Sequence, residues 1–169
     1  MKKVLDSYQL SLTIRRLAHQ LIENHPDFIQ TVFIGIQPRG TLLSDRIIEY
    51  IRDLFPGQKI QYGKLDITFY RDDIRKELHV ANKTEIPFSI EGKKVVLIDD
   101  VLYTGRTIRA ALDAINDFGR PEKVELCVLV DRRFSRQLPI QPDYCGKAID
   151  SFISQKVKVE WEKGEVVLY

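Results

Sequence analysis

Cysteine is almost missing from this chain. The 169 residues hold two, Cys127 and Cys145, with no C-x-x-C and no partner at metal-ligand spacing. A zinc site is not expected, and a chain this long can bury enough surface to fold without disulfides. Cys127 lies in the apolar run Leu126-Cys127-Val128-Leu129-Val130 and reads as a small buried hydrophobe. Long hydrophobic runs are missing too, so no membrane span is expected. The opening Met1-Lys2-Lys3-Val4-Leu5-Asp6 lacks the apolar stretch of a secretory signal, and the expected location is the cytoplasm. Nor does one sign of charge dominate. Lys and Arg number 26 against 24 Asp and Glu, a net charge of +2, which argues against a general polyanion binder and leaves room for a local basic patch. What remains is a composition 44% hydrophobic and 30% charged, that of one globular domain rather than a disordered chain.

Hydrophobic periods alternate between helix and strand. Leu10, Ile14, Leu17 and Leu21 form one helical stripe, with Asp6 and Gln9 spaced as a capping box and Leu5 facing Leu10 as a staple. The β-branched run Thr31-Val32-Phe33-Ile34 precedes a second helix traced by Leu43, Ile47, Tyr50, Ile51 and Leu54, which Pro56-Gly57 ends. Leu65, Ile67 and Phe69 alternate with polar residues, predicting a strand with one wet face, and a long polar loop follows to Ile86. Val95-Val96-Leu97-Ile98 and Val124 to Val130 read as buried strands around a helix from Thr104 to Phe118, stopped by Gly119 and Pro121. Beyond Asp131 the pattern loosens until Val157–Trp161 and Val166–Tyr169, separated by a turn at Lys163-Gly164. Strand–helix–strand alternation predicts an α/β fold with a mainly parallel sheet and ligands beyond the carboxyl ends of its strands.

The strand end with most chemistry is Val95-Val96-Leu97-Ile98-Asp99-Asp100-Val101-Leu102-Tyr103-Thr104-Gly105-Arg106-Thr107. Two adjacent carboxylates reach the sheet rim, and Thr104-Gly105-Arg106-Thr107 then turns into a helix. Two hydroxyls, a glycine that lets the backbone approach and the helix's own N–H groups suit a phosphate. The carboxylates repel that anion but accept hydrogen bonds from neutral hydroxyls. A sugar diol and a phosphate side by side describe a ribose 5-phosphate. A Walker B strand also ends in carboxylates, but it needs a P-loop. Gly35 and Gly40 have the Walker A spacing, yet Thr41-Leu42 stands where Lys-Ser/Thr is required. A receiver domain would carry its acidic pair after the first strand.

The stretch Val95–Thr107 resembles the phosphoribosyl pyrophosphate (PRPP) signature of type I phosphoribosyltransferases. Asp66-Ile67-Thr68-Phe69-Tyr70-Arg71-Asp72-Asp73, Val128-Leu129-Val130-Asp131-Arg132, Leu138-Pro139-Ile140 and Asp143-Tyr144-Cys145-Gly146-Lys147 are together similar to its PyrR branch, in which pyrimidine-operon attenuation and uracil phosphoribosyltransferase activity are combined. The resemblance implies a type I phosphoribosyltransferase fold as a single domain over residues 1–169, flanked by helices, with a small hood from about 131–150 plus the C-terminal strands. It implies that Asp99 and Asp100 hold the ribose hydroxyls and that Val101, Leu102, Tyr103, Thr104, Gly105, Arg106 and Thr107 bind the phosphoribosyl group of PRPP or UMP. Gln37-Pro38-Arg39-Gly40 would be the pyrophosphate loop, with Arg39 and Arg71 as catalytic cations and Tyr70 to Asp73 opening a mobile loop. Asp131, Arg132 and Val159 would border the base. Mg²⁺ would arrive on PRPP rather than on direct protein ligands. The implied reaction turns uracil and PRPP into UMP and pyrophosphate.

The same resemblance implies leader mRNA as a second partner, through Arg15, Arg16, His19, Arg136 and Lys147, and a homodimer or higher homo-oligomer. Two other readings stand beside it: an RNA-binding attenuator with weak catalysis, and a purine-salvage phosphoribosyltransferase. Hypoxanthine-type enzymes carry an Asp at the position of Tyr103 to meet the purine N7, and uracil has no N7. The chain departs from the PyrR pattern in three places. Pro38 replaces Thr before Arg39-Gly40, and since proline lowers the cost of a cis bond from about 3 kcal/mol to below about 1 kcal/mol, a cis Gln37–Pro38 is expected. Asp131-Arg132-Arg133-Phe134-Ser135-Arg136-Gln137 is one residue longer than the family's stretch, and Gln141-Pro142 stands where an arginine is common.

Overall fold

The computed structural model describes residues 1–72 and 83–169. A five-stranded parallel sheet forms its centre, in the order β3-β2-β4-β5-β6. The strands are β2 (Thr31–Ile36), β3 (Gln61–Leu65), β4 (Lys94–Leu102), β5 (Lys123–Arg133) and β6 (Tyr144–Asp150). Helices α1 (Ser7–Asn24) and α2 (Gly40–Leu54) cover one face and α3 (Arg106–Ile115) the other. Alternation assigns the strand residues to the two cores. Phe33, Val96, Ile98, Cys127 and Leu129 pack with α1 and α2, while Val32, Ile34, Val95, Leu97 and Val128 pack with α3. Cys127 is fully buried, as its apolar run predicts.

A separate antiparallel sheet, β1-β8-β7, joins β1 (Lys2–Leu5) to β7 (Val157–Glu160) and β8 (Glu165–Leu168). The predicted capping box at Asp6 and Gln9 is formed in both directions, at 2.8 and 3.1 Å. Two expectations change. Residues 144–150 form β6, an edge strand of the central sheet in parallel register with β5, rather than part of a hood. The predicted strand over 65–69 lies earlier, at Gln61–Leu65. Asp66 stops it: its carboxylate accepts from the backbone N–H and the hydroxyl of Thr68, at 3.0 and 2.6 Å, and turns the chain into a short 3-10 turn, Thr68–Tyr70. No helix is long and apolar enough to cross a membrane among the described residues.

At the amino end of the sheet, away from the strand tips discussed below, His25 is buried. Its Nε2 lies 2.7 Å from Glu125, its Nδ1 lies 3.3 Å from the Thr31 hydroxyl, and Tyr144 donates to Glu125 at 3.0 Å. Burial holds the His25 pKa below its ordinary value of 6.5, although Glu125 pulls the other way. The imidazole is therefore neutral in the folded chain, whereas the unfolded chain takes up a proton below about pH 6.5. Stability supplied by this site is present above that pH and drains as pH falls toward the depressed folded pKa. Between pH 7.5 and 5.5 the wild type should lose about 1 kcal/mol more unfolding free energy than His25→Gln, measured by urea titration. Parallel curves for the two proteins would refute the assignment.

Candidate active site

The chain runs from β2 to β3 on one side of β2, then returns to β4 on the other. Loops leaving β2 and β4 diverge at that switch point, and a crevice opens beyond the carboxyl ends. A cavity of about 580 Å³ occupies it. Gln37, Pro38 and Arg39 line it from the β2 loop, Asp99, Asp100, Val101, Tyr103 and Thr107 from the end of β4 and the turn into α3, and Arg71 from the segment after β3. A second cavity of about 300 Å³ adjoins it, lined by Thr104, Gly105, Arg106, Thr107 and Gln137, and Arg71 borders both.

Strand β4 runs four residues beyond the apolar stretch that marked it, carrying Asp99 and Asp100 within the ladder. Both are only 6% exposed. Asp99 accepts from the Asp100 N–H at 2.9 Å and Asp100 from the Val101 N–H at 2.7 Å. Burial is the main cause that pushes both pKa values up, and the Asp100 charge adds to the rise at Asp99. Arg39 opposes the rise at each, so its positive charge reaches the pair from across the cavity. Two buried carboxylates beside open space are costly unless donors arrive, and sugar hydroxyls are such donors.

The Arg39 loop is fixed by one backbone and two side-chain hydrogen bonds. The Gln37 N–H donates to Leu65 O at 2.9 Å, the Gln37 amide to Lys83 O at 2.7 Å, and the Thr41 hydroxyl to Pro38 O at 2.7 Å. The Gln37–Pro38 bond is cis. In the turn that leads into α3, Gly105 has φ +93°, a left-handed conformation that suits glycine, and it is the residue that caps the helix. The Thr104 hydroxyl accepts from the Arg106 N–H at 3.3 Å.

Arg132 is 5% exposed and held by the Ser151 hydroxyl and the carbonyls of Phe152 and Gln155. Its guanidinium lies 4.0 Å from the Tyr103 ring centroid. The two side chains form a flat wall of the larger cavity. Asp131 does not line it. Its carboxylate accepts from Arg136 at 2.5 Å, and Arg136 donates to Tyr103 O at 2.7 Å, so this pair braces the loop that carries Tyr103. Val157 and Val159 on β7 both pack against the α1–α2 core, and of the two Val157 also reaches the cavity, beside Lys156. Lys156, Val157, Ile67 and Thr68 also line the cavity, and none of them belongs to the expected site residues. The alternation along β7 was a usable signal for Val157, since residues two apart share a face.

The basic residues expected to meet RNA are not one cluster. Arg15, Arg16 and His19 lie on the exposed side of α1, and His19 bonds the Tyr50 hydroxyl at 3.0 Å. Arg16 donates to Gly146 O at 2.5 Å and thereby touches β6, which carries the exposed Lys147. Arg136 belongs to the cavity brace instead. Asp73, and the loop closure expected after Arg71, fall on residues 73–82, outside the described residues.

Among the described residues no group of three or more His, Cys, Asp or Glu is placed to hold a metal ion. A Mg²⁺ ion would fit here only on a ligand that brings phosphate oxygens of its own, with the Asp99 and Asp100 carboxylates as nearby hard oxygens beside the cavity.

Comparison with known proteins is consistent with this geometry. Residues 1–163 match the phosphoribosyl transferase domain. The bifunctional protein PyrR of Picosynechococcus sp. is 49% identical over 93% of this chain and 88% of its own length. The bifunctional protein PyrR of Enterococcus faecalis is 43% identical over 96% of this chain and 90% of its own. Among solved structures, the hypoxanthine phosphoribosyltransferase of Trypanosoma cruzi superposes with a TM-score of 0.75 at 16% identity, covering 99% of this chain and 95% of that one. One from Staphylococcus aureus gives 0.70 at 22% identity, covering 89% and 80%. At such identities these structures speak to the fold alone.

Proposed function

The chain belongs to the phosphoribosyl transferase family, in its PyrR branch, and from that premise we propose that it transfers the phosphoribosyl group of PRPP to N1 of uracil, giving UMP and pyrophosphate. The carrying observation is the pair of buried carboxylates facing Arg39 across one cavity, with a phosphate turn beside them. The bond from C1′ to pyrophosphate breaks, the bond from N1 to C1′ forms, and the N1 proton is released. No nucleophilic side chain is required, and catalysis lies in orientation and in preorganised charge. Asp99 and Asp100 accept from the ribose 2′- and 3′-hydroxyls. The turn from Tyr103 to Thr107 holds the 5′-phosphate at the amino end of α3. Arg39 and Arg71 face the departing pyrophosphate, whose oxygens a guanidinium binds in bidentate fashion. Mg²⁺, when carried in by PRPP, neutralises part of the pyrophosphate charge. The Arg132–Tyr103 wall offers a planar base a flat surface. A tyrosine there cannot act as the carboxylate that a purine N7 would meet.

Turnover of PRPP with uracil, hypoxanthine, guanine or adenine, followed by pyrophosphate release, tests the assignment. Release should occur with uracil, and turnover with a purine alone would overturn it. Leader mRNA is the second proposed ligand, bound through phosphate contacts at Arg15, Arg16, His19 and Lys147, with loop bases setting sequence choice. Arg16→Gln should weaken UMP-dependent binding of the pyrimidine-gene leader in a gel shift by about tenfold and leave uracil turnover unchanged. Loss of turnover would place the first helix in the active site instead.

A further inference from the structure

Arg71 sits where the two cavities meet, yet it lies on a segment with little local structure: the chain leaves the 3-10 turn at Tyr70 and is extended at Arg71. Its two neighbours in sequence are both fastened to the same element. On one side, the Tyr70 hydroxyl donates to the carboxylate of Asp117, just past the end of α3. On the other, one oxygen of Asp72 accepts from Arg106 and from Arg109, each at 3.1 Å. Arg109 is one turn along α3 from the phosphate turn, and Asp113, a further turn on, steadies it at 3.8 Å. Neither Arg109 nor Asp117 lines either of these two cavities.

We propose that Arg109 and Asp117 are positioning residues, which clip the chain on either side of Arg71 to the outer side of α3 and so set where the Arg71 guanidinium meets the anionic end of PRPP. The clip rests on the phosphoribosyl-transfer reading of the site. The sharing of Asp72 gives it a second property. Arg106 belongs to the phosphate turn, and a bound phosphate competes with Asp72 for its guanidinium. Arg109 lies outside that turn and keeps Asp72 in place when Arg106 is drawn to the ligand. One arginine is free to answer the substrate because the other holds the segment. The pairs are half exposed, at 44% for Asp72 and 46% for Arg109, so they add little to global stability and are weakened by salt. Their effect falls on position, where a displacement of about 1 Å is enough to slow a reaction.

The test uses the full chain. Titration calorimetry with PRPP and Mg²⁺ and steady-state turnover of uracil are measured for the wild type, Arg109→Gln, Arg109→Lys and Asp117→Asn. Arg109→Gln should weaken PRPP binding and raise its KM by about three- to tenfold, and Asp117→Asn, which leaves the Tyr70 hydroxyl a neutral and weaker acceptor, should do the same to a smaller extent, with the KM for uracil and the melting temperature unchanged in both. Arg109→Lys should recover most of the loss, and about 0.5 M salt should narrow the gap between wild type and Arg109→Gln. Unchanged PRPP binding in both variants would overturn the proposal. So would equal rises in the KM of both substrates, or a lowered melting temperature without rescue by lysine, which would mark a merely structural role. If the wild type binds PRPP but does not turn over uracil, the base assignment fails. The clip is then judged on PRPP binding alone.

Discussion

Replacing Asp99 and Asp100 together by asparagine is expected to cut uracil turnover by at least about a hundredfold and raise the KM for PRPP by about tenfold, while the protein melts at a higher temperature than the wild type. The two effects have one cause. Each carboxylate is 6% exposed and each has its pKa pushed up by burial, so the ionised form is held against its preference. A group whose folded pKa is raised contributes stability at low pH and loses it as pH rises through that value. At neutral pH the ionised pair is therefore a burden on the fold. Asparagine removes the charge and retains a side-chain oxygen to accept the N–H groups of Asp100 and Val101 that the carboxylates now accept. A gain of about 1–2 kcal/mol corresponds to a rise of several degrees in a chain of this size. What is lost, on the proposed reading of the site, is the strong acceptor for two ribose hydroxyls. Calorimetric melting of the double variant, with and without PRPP, checks both halves. A lower melting temperature would mean that Arg39 and the backbone donors already compensate the pair, and unaltered kinetics would remove the carboxylates from the diol site.

The elements around this pair were legible because they are extreme. Four β-branched or aliphatic residues followed by two acids, then Thr-Gly-Arg-Thr, admit few folded meanings, and the cavity is lined by the residues so marked. The elements that escaped are those whose partners lie far along the chain. Strand β6 reads Tyr-Cys-Gly-Lys-Ala-Ile-Asp, with no clear period, because it is an edge strand whose inner positions face β5 and α1. A side chain at Gly146 would meet Leu129 O at 2.5 Å and the Thr13 methyl at 2.7 Å. Strand β1 is four residues long and half of it is lysine, and only its pairing with β8 makes it a strand. The alternation of Leu65, Ile67 and Phe69 was a true period with the wrong cause. Leu65 and Ile67 are buried at the end of β3 and just after it, while Phe69 is 85% exposed on the 3-10 turn that Asp66 initiates. At the site, the same limit hid Lys156, and only the alternation along β7 points to Val157. Nothing near them in sequence names a ligand, and the β1-β8-β7 sheet carries this stretch to the cavity.

Gly40→Ala is expected to be the most damaging single methyl that the chain can receive near the site. Gly40 opens α2 directly after the Gln37–Arg39 loop, and a Cβ there would lie 2.6 Å from Ile98 O, 3.0 Å from the Asp99 Cα and 3.0 Å from the Asp99 carboxylate. Two of those three neighbours are backbone of β4, in the middle of the sheet, and cannot turn aside as a flexible side chain would. Either the first turn of α2 lifts away from β4, carrying Arg39 with it, or the Asp99 carboxylate leaves its place against the Asp100 N–H. Both outcomes separate the cation from the acidic pair, and both act through the loop that the Gln37 and Thr41 hydrogen bonds otherwise fix. The substitution should cost about 1–3 kcal/mol of stability, and kcat/KM for PRPP should fall by about a hundredfold or more because the reacting groups are misplaced. Gly57→Ala supplies the comparison, since a Cβ at Gly57 meets nothing within 4 Å and that variant should keep wild-type melting and kinetics. Urea unfolding together with PRPP kinetics on the two variants decides the matter. If Gly40→Ala matches Gly57→Ala, the close approach of α2 to β4 does not set the distance between Arg39 and the carboxylates.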